Sequence, residues 1–179
     1  MSAGPQAALQ RRPMTVADVG AVLAVEVRAY SHPWTRGNFI DSIAAGYVAE
    51  VLASAADGVV GYFVAMPGVD ELHLLNITVA PGWQRQGHGH TLLDAVQANA
   101  RALQLAVLWL EVRQSNERAR ALYRRRGFAE VGVRKGYYPA VGRQEDAVVM
   151  RLDLAAAGDP EDACSATALP AAGGCRGLV

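Results

Sequence analysis

The sequence is poor in cysteine and has no long apolar run. Its 179 residues include only two cysteines, Cys164 and Cys175, and both lie near the carboxyl end. Neither a disulfide framework nor a cysteine-based metal site is therefore supported. No apolar run approaches the ~20 residues that a membrane-spanning helix needs, and the amino-terminal segment lacks the apolar stretch of a signal peptide. We expect a soluble cytoplasmic protein.

The chain also lacks an excess of either charge. It carries 17 basic and 17 acidic residues, which gives a formal net charge of zero. Long-range attraction to nucleic acid or to an anionic membrane is therefore not indicated. No direct nucleic-acid partner and no membrane partner are expected.

Both ends of the chain are poor in large apolar side chains. Residues 155–179 contain eight Ala, four Gly, two Pro and no aromatic residue. Such a segment buries too little apolar surface to offset the entropy lost on ordering. The length fits one domain, so we predict a disordered segment at 1–7, one folded domain at 8–154 and a disordered tail at 155–179.

The spacing of apolar residues predicts seven strands and four helices in the order β-α-α-β-β-β-α-β-α-β-β. This order is typical of the α/β (α+β) class, with a mixed, mostly antiparallel sheet flanked by helices. The strands are predicted at 9–14, 47–53, 59–65, 71–79, 107–112, 129–134 and 147–152. The helices are predicted between residues 15 and 30, 35 and 46, 89 and 103, and 115 and 127. The apolar face of the first helix is predicted as Val19, Val22, Leu23, Val27 and Tyr30.

A glycine-containing loop follows the fourth strand and leads directly into a helix. The loop reads Gln84-Arg85-Gln86-Gly87-His88-Gly89. A strand, a glycine loop and a helix amino terminus form a phosphate-binding geometry, because unpaired backbone N–H groups and the helix dipole point at the anion. The loop lacks the Lys-Ser/Thr of a Walker motif and the third glycine of a dinucleotide fingerprint. It therefore indicates the pyrophosphate of another ligand.

Two side chains beyond this loop are candidates for proton transfer. Glu111 lies in an apolar strand, at the end where α/β sheets bind ligands, and a buried carboxylate there is a plausible general base. The alternative is a structural ion pair with Arg113 or Arg134. Tyr123 lies on the inward face of the next helix, where its phenol is either a proton donor or a core residue with a satisfied hydroxyl.

Other polar and aromatic residues keep two interpretations each. Asn116 is a helix N-cap or a ligand contact. His88 and His90 have no further metal ligands at a suitable spacing, so no metal is expected. The arginine-rich helix is a solvated face or a second phosphate contact; its arginines are Arg118, Arg120, Arg124, Arg125 and Arg126.

Two aromatic segments, Pro33-Trp34 and Tyr137-Tyr138, are packing anchors or walls of an acceptor groove. Tyr137-Tyr138-Pro139 is expected in a polar loop between the last two strands.

The glycine loop matches Q/R-x-x-G-x-G/A, and in its place between the fourth strand and a helix it resembles the loop of the GNAT (Gcn5-related N-acetyltransferase) family. The predicted element order over residues 9–152 is also similar to the fold of that family. Further similar segments are Pro33-Trp34, Asn76-Ile77-Thr78-Val79, Leu108-Trp109-Leu110-Glu111-Val112-Arg113, Ser115-Asn116, Ala121-Leu122-Tyr123, Gly127-Phe128, Tyr137-Tyr138-Pro139 and Glu145-Asp146-Ala147.

The resemblance implies an acetyltransferase that uses acetyl-CoA as cosubstrate and needs no metal. It implies that Glu111 is the base and Tyr123 the acid of a direct transfer, and that the acceptor lies between Pro33, Trp34, Tyr137 and Tyr138. The implied acetyl-CoA contacts are Ile77, Thr78, Val79, Arg85, Gln86, Gly87, His88, Gly89, His90 and Asn116. His90 is a departure, because many relatives have Arg or Lys there.

The implied acceptor is the N-terminal alanine of a small-subunit ribosomal protein. Two alternatives stay open. One is another amine, such as a lysine side chain, a polyamine or an aminoglycoside. The other is a non-catalytic acyl-CoA-binding module, because a fold does not fix a function.

Overall fold

The protein was analysed as a computed structural model, which describes residues 8–140 and 143–154. The segments 1–7 and 155–179, both predicted to be disordered, lie outside the described residues. The strands are Gln10–Pro13 (β1), Val48–Ser54 (β2), Gly58–Pro67 (β3), Glu71–Val79 (β4), Val107–Arg113 (β5), Ala129–Ala140 (β6) and Arg143–Asp153 (β7). The helices are Val19–Ala29 (α1), Arg36–Ala44 (α2), His88–Ala102 (α3) and Glu117–Arg125 (α4).

The seven strands form one sheet in the order β1-β2-β3-β4-β5-β7-β6. Neighbours are antiparallel except β4 and β5, which are parallel. This pair is parallel because α3 connects the two strands, as a crossover between parallel strands requires. The predicted order of elements and the mixed, mostly antiparallel sheet are confirmed.

Two groups of buried side chains make up the core. One includes Leu74 and Leu108 of the sheet together with Leu92 of α3 and Tyr123 of α4. The other includes Val22 of α1, with Phe39 of α2 and Tyr62 of the sheet. The buried side chains of the sheet thus belong to two clusters, one packed against α3 and α4 and the other against α1 and α2. Within the described residues, no helix is both long and apolar enough to cross a bilayer.

The predicted apolar face of α1 is partly wrong. Val19 and Val22 are fully buried as predicted, but Val27 is 53% exposed. Glu26 takes the inward position instead and is fully buried. Because successive residues of an α-helix are rotated by about 100°, an inward residue 26 turns residue 27 away from the core.

The predicted polar loop around Tyr137-Tyr138-Pro139 is also wrong, because these residues belong to β6. Tyr138 pairs with Glu145 across the β6–β7 ladder. Between the pairs Arg134–Ala147 and Tyr138–Glu145, three residues of β6 lie opposite the single residue Asp146. Gly136 adopts a left-handed φ of +60° in this bulge, and its N–H donates to the Asp146 carboxylate at 2.8 Å. A turn-like Lys135-Gly136 is therefore a bulge inside a longer strand.

Candidate active site

The site begins where β4 and β5 separate. Their parallel ladder runs from Glu71–Val107 to Leu74–Leu110. Beyond that point β5 continues beside β7 as far as Arg113, whereas β4 continues beside β3 as far as Val79. A bulge in the β3–β4 ladder, where Val64 pairs with Asn76 and Ala65 with Leu74, coincides with the separation. A wedge therefore opens between the carboxyl ends of the two strands.

The glycine loop occupies the top of β4 and is held in a defined shape. Gly87 is the N-cap of α3 with a left-handed φ of +88°, and Arg85 also has a positive φ of +64°. The Gln84 amide donates to the Val79 carbonyl at 3.2 Å, and the Gln86 amide donates to the Gly82 carbonyl at 3.2 Å. The loop thereby presents the first backbone N–H groups of α3, which have no partner within the helix, to the end of β4.

A cleft of about 380 Å³ lies between this loop, the end of β4 and α4. Val79, Gly87 and Gly89 line it on the loop side, and Leu122 lines it on the side of α4. Its basic side chains are Arg85, His90, Arg118 and Arg125. An open cleft with several cations beside a helix amino terminus suits a ligand that carries phosphate groups.

The arginines of the arginine-rich helix fall into two sets: one forms ion pairs and the other lines the cleft. Arg120 and Arg124 both pair with Glu130, at 3.1 and 2.6 Å, and together they lower the pKa of that carboxyl from its usual value. Arg126 pairs with Asp94. Arg118 and Arg125 line the cleft. Arg120, Arg124 and Arg126 thus form ion pairs with β6 and α3. The second phosphate contact remains a prediction for the cleft-lining Arg118 and Arg125.

The five remaining predicted cofactor residues do not line the cleft; they are Ile77, Thr78, Gln86, His88 and Asn116. Ile77 and Thr78 are fully buried in β4. His88 packs its ring at 5.6 Å from the ring of Trp83, and Gln86 is exposed. The Asn116 side chain caps α4 by accepting the Ala119 N–H at 3.1 Å. The predicted N-cap is confirmed, and the ligand contact of Asn116 stays a prediction.

Glu111 is buried on β5, just beyond the last pair of the parallel ladder. It is 8% exposed, and its Oε1 lies 3.5 Å from Nη2 of Arg134. Of the two arginines considered for pairing, Arg134 is thus the one that faces it, whereas Arg113 pairs with Glu145 at 3.0 Å. An ion pair of this length leaves the carboxylate compatible with both interpretations, so its role as base stays a prediction.

Tyr123 is fully buried beneath the surface of α4. Its ring lies 5.6 Å from the ring of Phe128. Its neighbour Leu122 and Ala119, one turn earlier on the helix, line the cleft. The tyrosine therefore lies directly behind the cleft wall, and its role as acid stays a prediction.

The two aromatic segments proposed for the acceptor lie in different settings. The Trp34 ring packs 5.3 Å from the ring of Phe39, in the connection between α1 and α2. Tyr138 is buried and donates through its hydroxyl to the Glu111 carbonyl at 3.0 Å, which links it directly to the backbone of the candidate base. Tyr137 is half-buried and stacks beneath the Arg134 guanidinium at 5.4 Å.

The sequence interpretation missed a buried polar group next to this site. Glu26, Asn76 and Thr78 are each fully buried, and they are connected by hydrogen bonds. The available signal was a carboxylate on the apolar stripe of α1 and two polar residues within the apolar strand β4. Among the described residues, no group of three or more side chains suited to holding a metal is present.

Residues 20–128 match the profile of the Acetyltransferase (GNAT) family. The match covers more than half of the chain, and the chain therefore belongs to this acetyltransferase family. The predicted family, fold class and enzyme class are confirmed, as is acetyl-CoA as the cosubstrate.

Within the family, the chain is similar to several bacterial enzymes named [ribosomal protein bS18]-alanine N-acetyltransferase. It is 34% identical to that of Salmonella typhimurium, over 79% of this chain and 95% of the relative. It is 36% identical to that of Escherichia coli K12, over 76% of this chain and 92% of the relative.

The same similarity holds between structures. The crystal structure of the ribosomal-protein-S18-alanine N-acetyltransferase from Escherichia coli superposes with a TM-score of 0.79 at 33% identity, over 87% of this chain and 99% of that one. Ard1 from Thermoplasma volcanium superposes with a TM-score of 0.75, over 83% and 99% of the two chains, but at 23% identity. At this lower identity, the similarity to Ard1 shows only that the two proteins share a fold.

A carboxylate beside the site gives a testable prediction about acid stability. Both oxygens of Glu145 accept hydrogen bonds, from the Ser115 N–H at 2.8 Å and from Arg113 at 3.0 Å. Burial alone would raise the pKa of Glu145, but the bonds from Ser115 and Arg113 outweigh it and lower the pKa below the usual 4.5. The Glu145 carboxylate therefore stabilises the folded state above the pKa that this group has in the unfolded chain. This stabilisation is lost as the pH falls through the lower pKa that it has in the folded protein.

We accordingly expect Glu145→Gln to lower the free energy of unfolding at pH 7 by about 1–2 kcal/mol. The difference from wild type should shrink below about pH 4.5. Urea unfolding between pH 7 and pH 3 measures it. Asp41→Asn, at an exposed position on α2, is the control and should differ little from wild type at any pH. A difference that is constant with pH would contradict the prediction.

Proposed function

We propose that this protein transfers the acetyl group of acetyl-CoA to the N-terminal alanine of a small-subunit ribosomal protein, in the cytoplasm. The observation that carries the proposal is the similarity to enzymes of that name, at 34% and 36% identity over 95% and 92% of their own lengths. The wedge between β4 and β5, with a buried carboxylate on one side and a glycine loop at a helix amino terminus on the other, supports the acetyl-transfer part of the proposal.

In the proposed complex, acetyl-CoA lies along the wedge and the cleft. The first N–H groups of α3 bind its pyrophosphate, and the cleft-lining Arg85, Arg118 and Arg125 add positive charge around it. His90 stands where many members of the family have Arg or Lys, which weakens the side-chain contribution to phosphate binding, while the backbone N–H groups of the loop still serve. A backbone N–H in the segment Ile77–Val79 polarises the thioester carbonyl.

The chemistry is a direct acyl transfer. An α-amine must be neutral to attack, and its usual pKa is about 7.7–8.0, so a base is needed near neutral pH. Glu111 removes the proton, directly or through a water molecule. The neutral amine nitrogen then bonds to the thioester carbon, the C–S bond breaks from the tetrahedral intermediate, and Tyr123 protonates the departing thiolate of CoA. The proton left on the new amide nitrogen returns to the Tyr123 phenolate.

The charge of the proposed acceptor groove bears on the kind of amine that it accepts. The described segments that would line this groove, 31–38 and 135–139, are neutral to basic. A groove of this charge favours a peptide amine over a polyamine or another polycation.

The acceptor assignment is tested by acetylation of peptides that differ only in their first residues. A peptide that starts with Ala should be acetylated at its α-amine, and mass spectrometry with fragmentation should locate the acetyl group there. Spermidine and a peptide with a blocked N-terminus and one lysine are the competing acceptors. Preferential acetylation of spermidine or of the lysine would assign a different acceptor. If none of the three acceptors causes release of CoA, an acyl-CoA-binding module is favoured.

Glu111→Gln tests the base. We expect the rate to fall by roughly 10²–10⁴-fold below about pH 8, and less above it, because the amine is increasingly neutral at higher pH. Acetyl-CoA binding should persist. The measurement is the pH dependence of kcat/KM for the acceptor, with Glu117→Gln at an exposed position on α4 as the control. A pH–rate profile identical to wild type would remove Glu111 from the role of base.

Tyr123→Phe tests the acid. The ring contact with Phe128 can persist without the hydroxyl, so the variant should fold, and kcat should fall by roughly a hundredfold. The dissociation constant for acetyl-CoA should stay near wild type, which equilibrium titration measures. Tyr47→Phe removes the hydroxyl of a half-buried tyrosine next to β2 and is the matched control. Full activity in Tyr123→Phe would show that this tyrosine is only a core residue.

A further inference from the structure

A buried carboxylate next to the site has no part in the chemistry proposed above. Glu26 lies on α1 and is fully buried. Burying a carboxylate is costly unless several donors compensate for the lost hydration. The contacts of Glu26 therefore indicate what it is for.

Three donors converge on the two oxygens of Glu26. The Trp34 N–H donates to Oε1 at 2.7 Å. The Tyr62 hydroxyl donates to Oε2 in a short contact, and the Asn76 amide donates to the same oxygen at 3.3 Å. A carboxylate accepts at both oxygens, whereas a glutamine of the same shape accepts at one and donates at the other. The arrangement thus requires a glutamate.

Tyr62 is held in the donor form by the same surroundings. Burial, and secondarily the adjacent charge of Glu26, raise the pKa of Tyr62 well above its usual value. The phenol therefore keeps its proton and can donate only to an acceptor such as the Glu26 carboxylate.

The hydrogen bonds continue from Glu26 to the strand assigned to the thioester. Asn76 accepts through Oδ1 from the Thr78 hydroxyl at 3.0 Å. The Tyr30 hydroxyl lies 3.0 Å from the Thr78 hydroxyl and 3.2 Å from the Ile77 carbonyl. Since the Thr78 hydrogen is engaged with Asn76, the single Tyr30 hydrogen is donated to one of these two oxygens. A continuous polar chain therefore connects the Trp34 backbone with β4.

Glu26 fixes the middle of the connection between α1 and α2. The first end of this connection is held by the Tyr30 N–H, which donates to the Glu26 carbonyl at 3.1 Å. The other end is held by the Thr35 N–H, which donates to the Asn38 side chain at 2.8 Å. Between them, Pro33 has no N–H to donate, and the Trp34 N–H is bonded to the Glu26 carboxylate.

We propose that Glu26 is a positioning residue that holds the Pro33-Trp34 segment against β4 and so places the acceptor amine relative to the thioester. This role rests on the proposed function, in which that segment forms one wall of the acceptor groove. Acyl transfer requires the reacting atoms about 3–3.5 Å apart, so a small displacement of the wall weakens productive acceptor binding. Because this wall is anchored to the strand that holds the thioester, the acceptor amine and the thioester keep a fixed position relative to each other.

The test compares Glu26→Gln with two other variants in steady-state kinetics. Glu26→Gln should raise KM for an Ala-starting peptide about tenfold, the change expected when a hydrogen bond to a charged group is lost. KM for acetyl-CoA should stay within about twofold, since the cleft is unchanged. Tyr62→Phe removes one donor and leaves the Trp34 contact, so the rise in acceptor KM should be smaller.

Ser42→Ala is the matched control for a general loss of stability. Ser42 is buried on α2 and donates only within its own helix, to the Asn38 carbonyl at 2.8 Å. This variant should leave both KM values unchanged. A merely structural role of Glu26 would lower the active fraction, and with it the apparent kcat, without separating the two KM values.

Hydrogen exchange provides a readout that needs no substrate. Peptides that cover residues 30–35 should exchange faster in Glu26→Gln than in wild type, while peptides from α3 and the glycine loop should not. Unchanged exchange at 30–35, or an acceptor KM equal to wild type in a folded Glu26→Gln, would overturn the positioning role. A wild-type enzyme that does not acetylate Ala-starting peptides would instead overturn the proposed function, and the exchange experiment would still decide whether Glu26 anchors the segment.

Discussion

The site depends on the early end of one strand pairing. β4 and β5 share only four residue pairs before they part, yet neither strand ends there, because β3 and β7 stay paired with them on the other side. Each strand therefore keeps its backbone hydrogen bonds on its outer side while its inner side opens toward the wedge. An exposed inner edge within a sheet is costly, and a ligand that lies between the strands can satisfy the groups along it.

Parts of the molecule with strong local signals were predictable from the sequence. The glycine loop, the N-cap at Asn116 and the strand around Glu111 all follow from residues adjacent in the chain. The β6 bulge did not, because Lys135-Gly136 has the composition of a turn, and only pairing with β7 through Asp146 makes it part of a strand. Local propensity cannot reveal a partner strand that comes later in the chain.

The buried polar group shows the same limit in another form. Glu26 breaks the apolar pattern of α1, and Asn76 and Thr78 break that of β4, and each alone has an ordinary local explanation. Their significance comes from convergence, since α1 and β4 bring them into hydrogen-bonding distance across about fifty positions of sequence. A pattern-based interpretation treats such residues as exceptions, whereas the structure shows them as one group.

The arginine that faces Glu111 belongs to the edge of the sheet. Arg134 lies on β6, which is the edge strand next to β7 among the strands that the structure describes, and it is the last paired residue before the bulge. Glu111 itself lies on β5, in the interior of the sheet. The candidate base in the interior of the sheet is thus paired with a side chain of an edge strand, so the place of that cation depends on the β6–β7 pairing and on the bulge that follows it.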